Sequence, residues 1–111
     1  MSLMGFLARW KGQPQLVELG DSVAAQSLDR VWPLVEGRAG ELGAHEMRGY
    51  VRARSRGIVR ELVRRVVAEQ GRILATRTDE LTELAVNALV RLVAARHRSA
   101  MAIRTSRRRA A

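Results

Sequence analysis

Five arginines recur at four-residue steps, Arg48, Arg52, Arg56, Arg60 and Arg64, in a stretch that otherwise reads as one long helix. Residues four apart lie on neighbouring azimuths of a helix, so their guanidinium groups form a basic ridge winding slowly round one rod. The chemistry open to such a ridge is anion recognition, because a planar guanidinium pairs with carboxylate or phosphate through two parallel hydrogen bonds. Like charges at this spacing repel, so the ridge implies an acidic counterpart. A second basic block, Arg104 with Arg107, Arg108 and Arg109, ends the sequence and reads as a mobile tail over residues 104–111.

Residues suited to bond-making chemistry are sparse. His45 and His97 fall at a helix start and a helix end with no His, Asp or Glu placed to complete a metal site, and the chain has no cysteine. Ser22, Ser27, Ser55 and Ser99 lack the context of an activated nucleophile. Glu80 and Glu83 belong to a helix's first turn, where acids favour the positive end of the helix dipole. Gly37, Gly40 and Gly43 fit a loop rather than a phosphate cradle, since no strand precedes them and no Lys-Ser/Thr follows. A non-catalytic protein with no cofactor and no metal is expected.

The elements that must position the arginines are all helical. No Val/Ile/Thr-rich alternation argues for strands, and there is no repeat at solenoid periods. A first helix is expected from Asp21 or Ser22 to about Glu36, kinked or split at Pro33. Its apolar side carries Val23, Leu28, Val31, Leu34 and Val35, and its back is acidic through Glu18, Asp29 and Glu36. After the glycine loop a second helix is expected from Ala44–Met47 to about Ala75, and Thr78-Asp79-Glu80 opens a third. The last two form an antiparallel hairpin.

That hairpin is apolar over an unusually wide arc. Ile58, Leu62, Val66 and Ile73 line the second helix, with Val59, Val63, Val67 and Leu74 beside them. Leu84, Leu89, Val90 and Val93 do the same on the third. A two-helix hairpin covers only a narrow seam on each rod, so the first helix or a second copy must cover the rest. The fold class is therefore all-α: a kinked first helix plus a long antiparallel helical hairpin, forming a helical bundle by self-association, with a homo-dimer as the first expectation. Ile58, Leu62, Val66, Ile73, Leu84, Leu89, Val90 and Val93 are the expected self-association residues. On a straight projection Arg48, Arg52 and Arg56 take azimuths that are apolar further along, so the core is expected to stop near Gly57 and the ridge to face away from it.

A chain of 111 residues with 47% hydrophobic and 28% charged residues fits one folded domain. Residues 1–20 are expected as an amphipathic or irregular segment, 21–103 as the helical domain and 104–111 as the tail. The net charge of +9 is uneven: residues 1–46 carry four basic and six acidic groups, residues 47–72 eight and two, residues 73–95 two and three, residues 96–111 six and none. Nineteen of the twenty cationic side chains are arginine. Aromatic residues make up 4%, too few for a base-stacking surface. No run approaches the ~18 apolar residues of a membrane span. The first twelve residues do not read as a secretory signal, a cytoplasmic setting is expected, and Met1–Leu3 read as a leader ahead of a start at Met4.

Three partners fit the ridge, Arg48, Arg52, Arg56, Arg60 and Arg64, together with Arg107, Arg108 and Arg109. The first is carboxylate, within the chain, between subunits of an oligomer, where pairing is easier, or on an acidic protein partner, with Glu18, Asp29, Glu36, Glu41 and Glu46 as this sequence's candidates. It makes the protein an oligomeric assembly or adaptor module. The second is duplex nucleic acid held through phosphate contacts. The third is an anionic membrane surface, approached by Leu3, Phe6, Leu7 and Trp10 with Arg9 and Lys11.

Overall fold

The computed structural model describes residues 13–110, and they fold as three long helices and one short one. Helix α1 spans Gln13–Ala39, α2 Ala44–Gln70, α3 Arg72–Ala75 and α4 Thr78–Ala110. The all-α fold expected from periodicity is what forms. The amphipathic N-terminal edge, Leu3 to Lys11, lies outside the described residues.

Helix α1 contacts both α2 and α4, and α2 contacts α4, so the three rods enclose one core. Gly20 lies against Leu84 and Asp29 near Arg96, so α1 and α4 run parallel. Arg56 meets Glu83 and Arg52 meets Asn87, so α2 and α4 are antiparallel, as the hairpin reading requires. The core is a single cluster in which α1 supplies Leu16, Val23, Val31 and Val35, α2 supplies Val51, Val59 and Val63, and α4 supplies Leu81, Val86, Leu89 and Val93. Gly20 permits a close α1–α4 approach, since a Cβ there would stand 3.0 Å from the Leu84 Cβ.

Several expectations need correction. Asp21 and Ser22 do not cap α1; they sit inside it on the exposed side, where Ser22 Oγ accepts a hydrogen bond from Gln26 Nε2 at 3.2 Å. Pro33 does not split α1, because its exposed position leaves the missing amide hydrogen bond on the solvent side. Leu34, expected on the apolar side, is 48% exposed. Helix α2 stops at Gln70 rather than near Ala75. Gly71 adopts φ 93 and ψ −168, a conformation essentially restricted to glycine, and its amide donates to the Val67 carbonyl at 3.0 Å. Residues 104–110, expected as a tail, are the last turns of α4.

The core does not stop near Gly57. Met47, Val51, Ser55, Val59 and Val63 are all buried, and Gly57 lies within unbroken helix on the exposed side. These buried residues advance by four, as the arginines do, and each precedes one arginine of the ridge. The buried line therefore drifts round α2 by about 40° per step, and the ridge runs beside it one residue later. A projection that keeps the core at one fixed azimuth misses this shared drift.

The apolar faces are covered within one chain. Leu89 and Val93 are fully buried, so neither is available to a second copy of the folded protein. Ile58, Leu62, Val66, Leu84 and Val90 are half-buried and pack against the core from its margin, and Ile73 is also half-buried. Helix α1 thus supplies part of the cover, as expected, and leaves Ile58, Leu62, Val66, Ile73, Leu84 and Val90 partly exposed. Among the described residues no helix is long and apolar enough to cross a membrane.

Candidate partner-binding site

Because the ridge winds, its five arginines reach different surroundings. Arg52 and Arg56 turn toward α4 and share Glu83, at 3.5 and 2.5 Å, and Arg52 also donates to the Asn87 side-chain oxygen. Arg48 lies at the start of the ridge and Arg60 and Arg64 at its end, all exposed and with no ion-pair or hydrogen-bond partner among the described residues. Two of the five expected intrachain carboxylates serve other cations, and none of the five pairs with the ridge among the described residues. Asp29 approaches Arg96 at 3.8 Å, and Glu41 approaches Arg38 at 3.8 Å. Glu83 was not expected as the ridge's partner; the antiparallel hairpin brings it opposite Arg52 and Arg56 once the core extends that far along α2. These pairs are partly exposed, so each contributes only about 0.2–1 kcal/mol.

Arg48 opens onto a groove of about 790 Å³ beside the α1–α2 loop. Its α2 wall carries Ala44, Met47, Arg48 and Arg52, and its α4 wall carries Asn87, Val90, Arg91, Ala94, His97 and Arg98. Ala39 and Leu42 close the end. The lining contains four arginines and a histidine, no carboxylate, and an apolar floor of Leu42, Met47, Val90 and Ala94. Arg48 and Arg98 have no partner among the described residues, and Arg91 has only Asp21 at 3.9 Å, with both side chains more than half exposed. Compared with known protein families, with curated proteins and with solved structures, the chain matches none of them.

Cation–π contacts restrain neighbouring arginines without neutralising them. Arg38 and Arg54 both lie 5.4 Å from the Tyr50 ring centroid, and Arg96 covers Trp32 at 4.8 Å. In the groove itself the charge of Arg48 and Arg98 has no counterpart among the described residues, and that of Arg91 has only the exposed Asp21. The basic C-terminal residues continue from the groove. Every side chain from Met101 to Arg109 is exposed, so α4 overhangs the bundle at the groove's end, carrying Arg104, Arg107, Arg108 and Arg109.

Of the ridge residues expected to bind an anion, then, Arg48 and Arg52 line the groove, Arg56 is held by Glu83, and Arg60 and Arg64 lie elsewhere on the surface. Arg91, His97 and Arg98 were not singled out as binding residues. Their signal is the three- and four-residue continuation from Asn87 and Ala94, readable only once the hairpin's register is known. His45 is exposed and His97 half-buried, and among the described residues no three His, Cys, Asp or Glu side chains cluster as metal ligands.

Proposed function

We infer that this is a non-catalytic adaptor or assembly protein whose arginine-lined groove captures an acidic segment of another polypeptide. The observation that carries this reading is the combination of an apolar floor with four lining arginines and no lining carboxylate: Arg48 and Arg98 have no partner among the described residues, and Arg91 meets only the exposed Asp21. Carboxylates take the rim charges through bidentate pairs, while apolar side chains take the floor. A phosphate backbone uses the charge and leaves the floor unused. A second copy of the chain is disfavoured at this face by a net charge of +9 on each partner.

Duplex nucleic acid is the second reading. It is favoured by one observation, the four arginines of the α4 overhang, which extend without any carboxylate from Arg98 onward. Phosphate contacts there would give steep salt dependence and little sequence reading.

Fluorescence anisotropy with a labelled Glu-rich amphipathic peptide and a labelled duplex tests the assignment. Joint reversal of Arg48 and Arg98 to Glu is expected to weaken the peptide by about a hundredfold, from two lost charge-assisted contacts. Reversal of Arg60 and Arg64, which are equally exposed, is expected to change it less than about threefold. Equal losses from both pairs would replace a defined site with general charge attraction.

A further inference from the structure

The face of α4 that lines the groove does not end with the bundle. Asn87, Val90, Ala94, His97, Met101 and Arg104 succeed one another at steps of three and four residues, and Arg108 continues the series. That alternation is the spacing of a helix–helix seam. Residues through His97 belong to the groove wall, and Met101 stands on the overhang at 45% exposure. The seam runs about 30 Å from Asn87 to Arg108. Arg91 and Arg98 flank it at the positions immediately after Val90 and His97, where coiled helices place charges that select a partner.

We propose that this seam is the vacant berth of a fourth helix: an acidic amphipathic helix from another protein, lying between α2 and α4 and continuing along the overhang. The proposal rests on the groove reading above and adds the partner's conformation and extent. The partner's apolar residues, spaced three and four apart, pack on Met47, Val90, Ala94 and Met101. Its flanking carboxylates pair with Arg48, Arg91 and Arg98. The overhang then has a role that the bundle does not give it, since every side chain from Met101 to Arg109 is exposed. Charge complementarity selects the occupant. Residues 1–12 contain Arg9 and Lys11 and no carboxylate, so their sequence lacks the charge that the berth's arginines select.

The test uses the full chain and two labelled peptides of about 21 residues, long enough to span the seam. One has Leu at alternating three- and four-residue steps flanked by Glu; the other is a scrambled isomer of identical composition. A labelled DNA duplex is the third probe. The patterned peptide is expected to bind about tenfold tighter than its isomer and to become helical by circular dichroism. Met101→Gln, an exposed change, is expected to weaken the patterned peptide about three- to tenfold and leave the isomer unchanged. If both peptides bind equally and Met101→Gln affects neither, the helical berth is overturned while the groove reading stands. If neither peptide binds at physiological salt and the duplex does, both are overturned in favour of nucleic acid.

Discussion

Helix α4 has two halves that behave as different materials. From Thr78 to Val93 it buries Leu81, Ala85, Val86, Leu89 and Val93 and supplies Glu83 to two arginines of α2. From Met101 to Arg109 every side chain is exposed and four are arginine, with no acid among them. The first half shows how this protein offsets its positive charge when it builds a core. The second half shows charge left without an offset within the fold, at the end where the groove opens. A helix that is polar over most of its circumference gains little from its own fold, so its stabilisation has to come from a ligand or from backbone hydrogen bonds alone.

The largest effect that would break this contrast is a core truncation. Leu89→Ala removes a fully buried side chain and is expected to destabilise the fold by about 2–5 kcal/mol, read as a lowered urea midpoint. Ile103→Ala, a comparable truncation at 55% exposure, is expected to change stability by less than about 0.5 kcal/mol and so barely move that midpoint. Similar losses at the two sites would mean that the overhang is packed in solution.

The contrast was only half legible beforehand. Apolar periodicity locates three long rods and the hairpin, because wide apolar arcs such as Leu81–Leu84–Ala85–Leu89 can be buried only against other helices. The N-terminal half of α2 was misjudged for a geometric reason: Met47, Val51 and Ser55 are spaced like the arginines beside them, and one serine and one methionine make a weak apolar signal. The groove was not legible at all. It depends on which α4 residues face α2, and that register is set partly by Gly71 and the short α3, which periodicity had merged into α2. Arg104–Arg109 read as a tail because the run is basic and has no apolar periodicity; in the structure they are helix, with every side chain exposed.

The next effect concerns polar groups inside the packed region. Ser27 and Ser55 are fully buried, and neither hydroxyl oxygen has a hydrogen-bond partner among the described residues. Ser55→Ala keeps the small volume that the helix crossing needs and removes an unpaired buried polar atom. It is expected to stabilise the protein by about 1 kcal/mol, seen as a higher urea midpoint at unchanged slope. A loss of stability instead would show that the hydroxyl has a partner in solution.

The smallest expected effect is the one that sharpens the comparison most. Glu83→Gln keeps the side chain's shape and hydrogen-bonding capacity but removes the charge shared by Arg52 and Arg56. With both partners partly exposed, the expected cost in stability is about 0.5–1 kcal/mol at low salt, shrinking at higher ionic strength as the exposed charges are screened. Binding should move the other way. Arg52 lines the groove, so releasing it from Glu83 adds one uncompensated cation to the site, and affinity for an acidic amphipathic peptide should rise about two- to fivefold. Stability and binding respond oppositely only if the same arginine is shared between the core's edge and the groove. If the variant loses stability with no gain in peptide affinity, Arg52 is a structural residue that happens to border the site, and Arg48, Arg91 and Arg98 carry the binding without it.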